Sequence, residues 1–163
     1  MTLSDEIIIL KKKKNFIILS HNYQTGDIQD ISDFTGDSLE LARKAQKVEE
    51  PNILFAGVKF MAETAKILSP DKKVVLPVAD AGCEMADMVD INVLKRMKEE
   101  NPDAAVVAYV NTTAEVKGLS DVCCTSANAV KIVNSMNEEK IIFVPDRNLA
   151  SFVARQTKKI IIP

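Results

Sequence analysis

Residues 16–45 read FIILSHNYQTGDIQDISDFTGDSLELARKA, and residues 104–133 read AAVVAYVNTTAEVKGLSDVCCTSANAVKIV. Each stretch opens on a short apolar run, crosses a polar segment and closes on an amphipathic one. The two stand 88 residues apart, and the match needs no gap for about forty-five residues. Thr25 falls on Thr113, Ser32-Asp33 on Ser120-Asp121, Ser38 on Ser126, Ile53 on Ile141, Phe55 on Phe143 and Ala62 on Ala150. Beyond that the offset slips to 86, where KKVVLP (72–77) meets KKIIIP (158–163). Two long ungapped stretches and a closing hexapeptide mark an internal duplication.

Around these stretches, β-branched runs alternate with amphipathic ones. Strands are expected at 15–20, 52–56, 73–77, 104–109, 140–144 and 159–162. Helices are expected at 4–14, 28–34, 37–49, 59–68, 91–100, 113–119, 125–136 and 147–156. This alternation implies an α/β fold of repeated three-layer αβα units with parallel sheets. The repeat divides the chain into a first unit, 1–88, and a second, 89–163.

The composition is 47% apolar and 27% charged, as in soluble globular proteins. A net charge of −2 gives no global attraction to nucleic acid or an anionic membrane. Lys11–Lys14 closes the first helix, with Asp5 and Glu6 at its positive end. No apolar run reaches the roughly 20 residues of a membrane span, and the N-terminal pattern is not a secretory signal. Three cysteines, two of them adjacent, make a poor disulfide framework and fit a reducing cytoplasm.

The only histidine, His21, maps on to Tyr109, and Tyr23 maps on to Asn111. All stand at or just past the ends of equivalent strands, where parallel α/β sheets bind ligands. Polar side chains in matching places point to one shared site; the plain alternative is that each satisfies a loop carbonyl. Ser38 and Ser126 both fall at expected helix starts, where free N–H groups and the helix dipole favour anions. Simple helix capping is the alternative there. No GxxxxGK[ST] or GxGxxG is present, so a nucleotide is not indicated. Cys83, in DAGCEMADM, lies on a loop after a strand, and its thiol suits a nucleophile or a metal ligand. Gly82 before it allows a tight backbone. Cys123 and Cys124 map on to Thr35-Gly36, read as a helix-to-helix turn, and are expected as buried small residues. By the repeat, a cysteine matching Cys83 would come near position 169, past the last residue.

Four stretches carry a resemblance: residues 20–45 (SHNYQTGDIQDISDFTGDSLELARKA), 57–88 (GVKFMAETAKILSPDKKVVLPVADAGCEMADM), 108–133 (AYVNTTAEVKGLSDVCCTSANAVKIV) and 144–163 (VPDRNLASFVARQTKKIIIP). In these the chain resembles the quinolinate synthases of NAD biosynthesis. The resemblance implies three pseudo-symmetric αβα domains around a cavity, each giving one cysteine to a [4Fe–4S] cluster. It implies condensation of iminoaspartate with dihydroxyacetone phosphate to quinolinate, with loss of phosphate and water, and a cluster iron acting as Lewis acid. Cys83 would be the first cluster ligand. His21 and Tyr23 would be catalytic, handling substrate hydroxyls and protons. Tyr109 and Asn111 would hydrogen-bond the substrate, and Ser38 and Ser126 would hold its carboxylate or phosphate groups. Met61 would approach the cluster or pack in the core. The family chain is nearly twice this long, so the third unit and two further cysteines are expected outside these residues, in the rest of a longer chain or in a complementary one. The 163 residues alone are expected to be inactive. Two rivals remain: a non-catalytic anion-binding module or pseudoenzyme subunit, and a thiol enzyme with Cys83 as nucleophile and His21 as base.

Overall fold

The computed structural model describes residues 1–163. Contacts divide the chain into two units, Met1–Gly82 and Cys83–Pro163. In the first, α1 (Leu3–Lys13), β1 (Phe16–His21), α2 (Gly26–Asp30), β2 (Phe34–Gly36), α3 (Ser38–Lys47), β3 (Asn52–Ala56), α4 (Lys59–Leu68) and β4 (Lys73–Val75) follow in order. In the second come α5 (Ile91–Glu100), β5 (Ala104–Tyr109), α6 (Ala114–Gly118), β6 (Val122–Cys124), α7 (Ala129–Ser135), β7 (Lys140–Val144), α8 (Arg147–Ala154) and β8 (Ile160–Ile162). Each unit holds a four-stranded, all-parallel sheet, ordered β2-β1-β3-β4 and β6-β5-β7-β8. This is the repeated α/β architecture that the alternation implied.

The middle strands are apolar on both faces because both faces are covered. Residues 17–19 of β1 and 105–108 of β5 are buried throughout. In the second unit, Ala105, Val107, Ile141 and Phe143 pack against Ala129 and Val133 of α7 and Ala150 and Val153 of α8. The alternate residues Val106, Ala108, Ile142 and Val144 face Leu94 of α5 and Val116 of α6. Strand periodicity thus sorts one run into two cores. In the first unit, α3 and α4 bury Leu41, Ala42, Ala45, Met61 and Ala65. Met61 is 3% exposed, so it is a core residue.

Two strands escape the sequence pattern. β2 and β6 occupy the places read as turns around Thr35-Gly36 and Cys123-Cys124. They are three-residue edge strands, too short to show a period, and an aspartate starts each. Asp33 donates its N–H to the Ile18 carbonyl (2.9 Å), and its Oδ2 accepts from the Ile18 N–H (2.8 Å). Asp121 does the same to Val106, at 2.9 and 2.7 Å. The repeated Ser-Asp pair is therefore structural: the carboxylate fills a ladder position before the edge strand begins. The hydroxyls of Ser32 and Ser120 donate one turn back to the Ile28 and Val116 carbonyls.

The end of the repeat is also corrected. β3 pairs Asn52 with Lys73, whereas β7 pairs Lys140 with Ile160, so the last strands are 87 apart rather than 86. Lysines agree: Lys72 Nζ donates to the Val48 carbonyl and Lys159 Nζ to that of Met136. Matching letters in KKVVLP and KKIIIP mislead by one residue, because register follows the ladder. No glycine has a positive φ, so Gly82 does not serve a left-handed turn. No helix is long and apolar enough to cross a membrane.

Candidate functional site

In the first unit the site is built on the end of β1. The ladder pairs His21 with Gly36 and continues when Asn22 donates its N–H to the Gly36 carbonyl. The chain then turns, Gln24 N–H donating to the His21 carbonyl at 2.9 Å. This turn brings the Tyr23 N–H to His21 Nδ1 at 3.2 Å and sets the two rings edge to face, centroids 4.5 Å apart. Burial lowers the His21 pKa; the carboxylate of Asp37 pulls it back up in part. In the neutral ring Nδ1 accepts the Tyr23 N–H, which leaves the proton on Nε2. Tyr23 is 91% exposed.

Asp37, which sequence reasoning passed over, caps α3. Its Oδ1 accepts from the Leu39 and Glu40 N–H groups at 2.9 and 2.8 Å, and Glu40 Oε2 accepts from Asp37 N–H at 3.0 Å. The Glu40 side chain closes over Gly36, where an added Cβ would come within 3.0 Å of Oε2. The free N–H groups expected beside Ser38 are thus already taken. Ser38 is the first helical residue, half-buried, and brings its hydroxyl to an N-terminus filled by the protein's own carboxylate.

In the second unit Tyr109 ends β5, paired with Cys124 of β6. Its strand lies between β6 and β7, and in parallel α/β sheets ligands bind beyond the strand ends at such a place. Burial raises the phenol pKa first; the carboxylate of Asp146 and the thiols of Cys124 and Cys83 raise it further, and a hydrogen bond from Ser126 opposes them. Tyr109 is therefore a protonated donor, with Ser126, Asp146, Cys124 and Cys83 around it. Asp146 was also missed. It stands in VPDRNLA just after β7 and caps α8, its Oδ1 accepting from the Asn148 and Leu149 N–H groups at 2.7 and 3.0 Å. A strand-ending Pro-Asp before a helix was its only signal. Asn111 is half-buried in the loop two residues past Tyr109.

The structure moves Ser126 off the helix start. Asn128 Oδ1 accepts from the Thr125 N–H at 2.7 Å, closing a turn over 125–128, and α7 begins only at Ala129. Ser126 is exposed within that turn. Its nearness to Tyr109, whose pKa it pulls down, and not a helix dipole, ties it to the site.

The family described as quinolinate synthetase A protein matches residues 5–163. The chain belongs to this family. It is 58% identical over 161 residues to a protein named quinolinate synthase from Methanoregula boonei, covering 99% of this chain and 53% of that protein. It is 57% identical to one from Alkaliphilus metalliredigens (98% and 53%) and 60% identical to one from Thermodesulfovibrio yellowstonii (93% and 50%). The chain spans about half the length of the curated relatives it matches.

The three thiols differ in what they can offer a metal of the kind this quinolinate synthetase family implies. Cys83 is half-buried, its N–H donating to Asp87 Oδ2 at 3.1 Å in a loop closed by the Asp87 N–H on the Cys83 carbonyl. Cys124 is buried, and burial, with Cys123 beside it, pushes its thiol up to about 12. Cys123 is exposed, against the expectation that both would be buried, because neighbours on a strand point to opposite faces. No three His, Cys, Asp or Glu side chains gather to hold a metal ion. Of the three, the half-buried Cys83 thiol on its loop suits one ligand of a cluster, and the chain gathers no fuller set.

Proposed function

We propose that this chain supplies the N-terminal substrate face of a quinolinate synthase, which condenses iminoaspartate with dihydroxyacetone phosphate to quinolinate and phosphate with loss of water. The observation that carries this reading is the end of β5, where Tyr109 pairs with Cys124 of β6, and Asp146, which caps α8, Ser126 and Cys83 all lie near enough to act on its phenol. Cys83 would hold one iron of a [4Fe–4S] cluster, which when bound supplies a Lewis acid for a substrate oxygen. Tyr109 donates a hydrogen bond to an oxygen that gains negative charge in the reaction, and Ser126 fixes its direction. Asn111 adds a second polar contact to the substrate beyond the strand end.

His21 acts mainly as a donor through Nε2–H, because its Nδ1 lone pair is held by the Tyr23 N–H. It polarises a carbonyl or hydroxyl, and takes up a proton only if that backbone bond opens. Tyr23, exposed beside it, contributes its hydroxyl to the same substrate group. Ser38 offers a hydroxyl rather than an anion socket, since Asp37 occupies the helix end. That carboxylate also weakens the rival reading of a non-catalytic anion-binding module. Free thiols suit a reducing, cytoplasmic setting.

The test joins this chain to the second half of the Methanoregula boonei relative and restores iron and sulfide without oxygen. Quinolinate formation is expected from the joined protein and none from the 163 residues alone. Tyr109→Phe is expected to lower kcat about a hundredfold, the scale for losing one oxyanion donor. Turnover by the short chain, or full activity of the Tyr109→Phe protein, overturns the reading.

A further inference from the structure

The two units differ at one place where the repeat says they should agree. In the first, the chain leaves β4 and returns over residues 76–82 to the start of α4. There the Lys59 N–H donates to the Ala81 carbonyl at 2.8 Å. The segment is shaped by its own turns, Ala81 N–H to the Val78 carbonyl and Gly82 N–H to that of Asp80.

In the second unit, Arg147 stands where Lys59 stands, as the first residue of α8. Its N–H meets no carbonyl of this kind. In front of it lies a cavity of about 640 Å³, bounded by Met88, Val93, Met97, Pro145, Arg147 and Pro163. Met88 and Val93 are exposed there, at 69% and 40%. The wall pieces come from α5 and the loop before it, from the loop after β7 with the start of α8, and from the residue after β8. In the first unit residues 76–82 cross the start of α4, the equivalent of the Arg147 wall, where Ala81 accepts from Lys59. The ladder offset of 87 sets Pro163 opposite Leu76, the first residue of that crossing.

We propose that this cavity seats a polypeptide segment: the stretch that follows the position of Pro163 in the longer relatives. The segment lies between α5 and α8, covers Met88 and Val93, and gives one backbone carbonyl to the Arg147 N–H, as Ala81 does to Lys59. The relatives of about twice this length carry chain beyond that position. The inference rests on the repeat and its register and not on the proposed reaction, so either can fail without the other.

The experiment uses the chain labelled with 15N and with 13C at methionine methyls. The probe is a synthetic peptide of the residues that follow the Pro163 position in the Methanoregula boonei relative. Expected are shifts of the Arg147 amide and of the Met88 and Met97 methyls, none with a scrambled peptide, and at least roughly tenfold weaker binding by Val93→Glu. A second form carries the same residues joined covalently after Pro163; its Arg147 amide should exchange at least roughly tenfold more slowly than in the short chain. Unchanged Arg147 exchange in the joined form overturns the proposal. So do equal shifts with the scrambled peptide, or protection of Arg147 in the short chain by its own dimerisation.

Discussion

Replacing Asp121 with alanine isolates the interaction that starts each edge strand. The substitution removes the acceptor 2.7 Å from the Val106 N–H. Val106 is fully buried in β5, so water does not replace the lost partner. An unpaired buried donor costs about 1–3 kcal/mol. The reciprocal bond, Asp121 N–H to the Val106 carbonyl, does not depend on the side chain. Asp121→Asn keeps a neutral oxygen in place and should cost less than about 1 kcal/mol, the scale of a single net hydrogen bond. Asp33→Ala should cost slightly more than Asp121→Ala. It also breaks the Lys11–Asp33 ion pair at 2.9 Å, a partly exposed contact of about 0.5 kcal/mol. Because the chain has two units, native-state hydrogen exchange is the suitable assay: it reads each unit through its own core amides. In the Asp121→Ala protein, slow amides of β5 and β7 should exchange roughly 5 to 150 times faster, while those of β1 and β3 keep their rates. Rates within about twofold of the parent in β5 and β7 would refute the reasoning. So would an Asn variant as damaged as the Ala one.

Other outcomes follow from the titrating groups. His21 should titrate below the usual imidazole value of about 6.5, read by NMR of the ring, and Asp37→Asn should lower it further while still capping α3. The sign follows: the unfolded chain binds this proton more readily, so the His21 contribution to stability is full above the unfolded pKa and is lost as pH falls through the folded one. A His21 pKa above the usual value contradicts this. Ser126→Ala should raise the Tyr109 pKa, followed by ultraviolet titration in a Tyr23→Phe background, because a bond to the phenolate is lost; a fall would be inconsistent with the geometry. Cys124 should resist alkylation in the folded chain while Cys83 reacts, mapped by peptide mass; equal labelling would contradict its burial and a thiol raised to about 12.

Much of this fold was legible because β1, β3, β5 and β7 are buried on both faces and so spell apolar runs. Long amphipathic helices were legible as well: α4 and α5 occupy the spans their periodicity implies. The edge strands β2 and β6 were not, since three residues held by a neighbour's ladder and an aspartate carry no pattern of their own. Register was misread at β8 because letters were compared where hydrogen bonds decide. At the site, His21 and Tyr109 were visible as rare residues at strand ends. Asp37 and Asp146 read as ordinary helix caps, which they are; that their charges also reach His21 and Tyr109 depends on folding. Ser126 was displaced by Asn128, whose side chain closes a turn where a helix start was expected.

In the proposed function one cysteine of this chain, Cys83, serves an iron–sulfur cluster beside Tyr109. The most direct test is the visible iron–sulfur absorbance, with iron and sulfide content, of the protein joined to its relative's second half and reconstituted without oxygen. Cys83→Ser should abolish it, while Cys123→Ser and Cys124→Ser leave it intact. A cluster that survives Cys83→Ser, or is lost on changing Cys123 or Cys124, would overturn the assignment of Cys83.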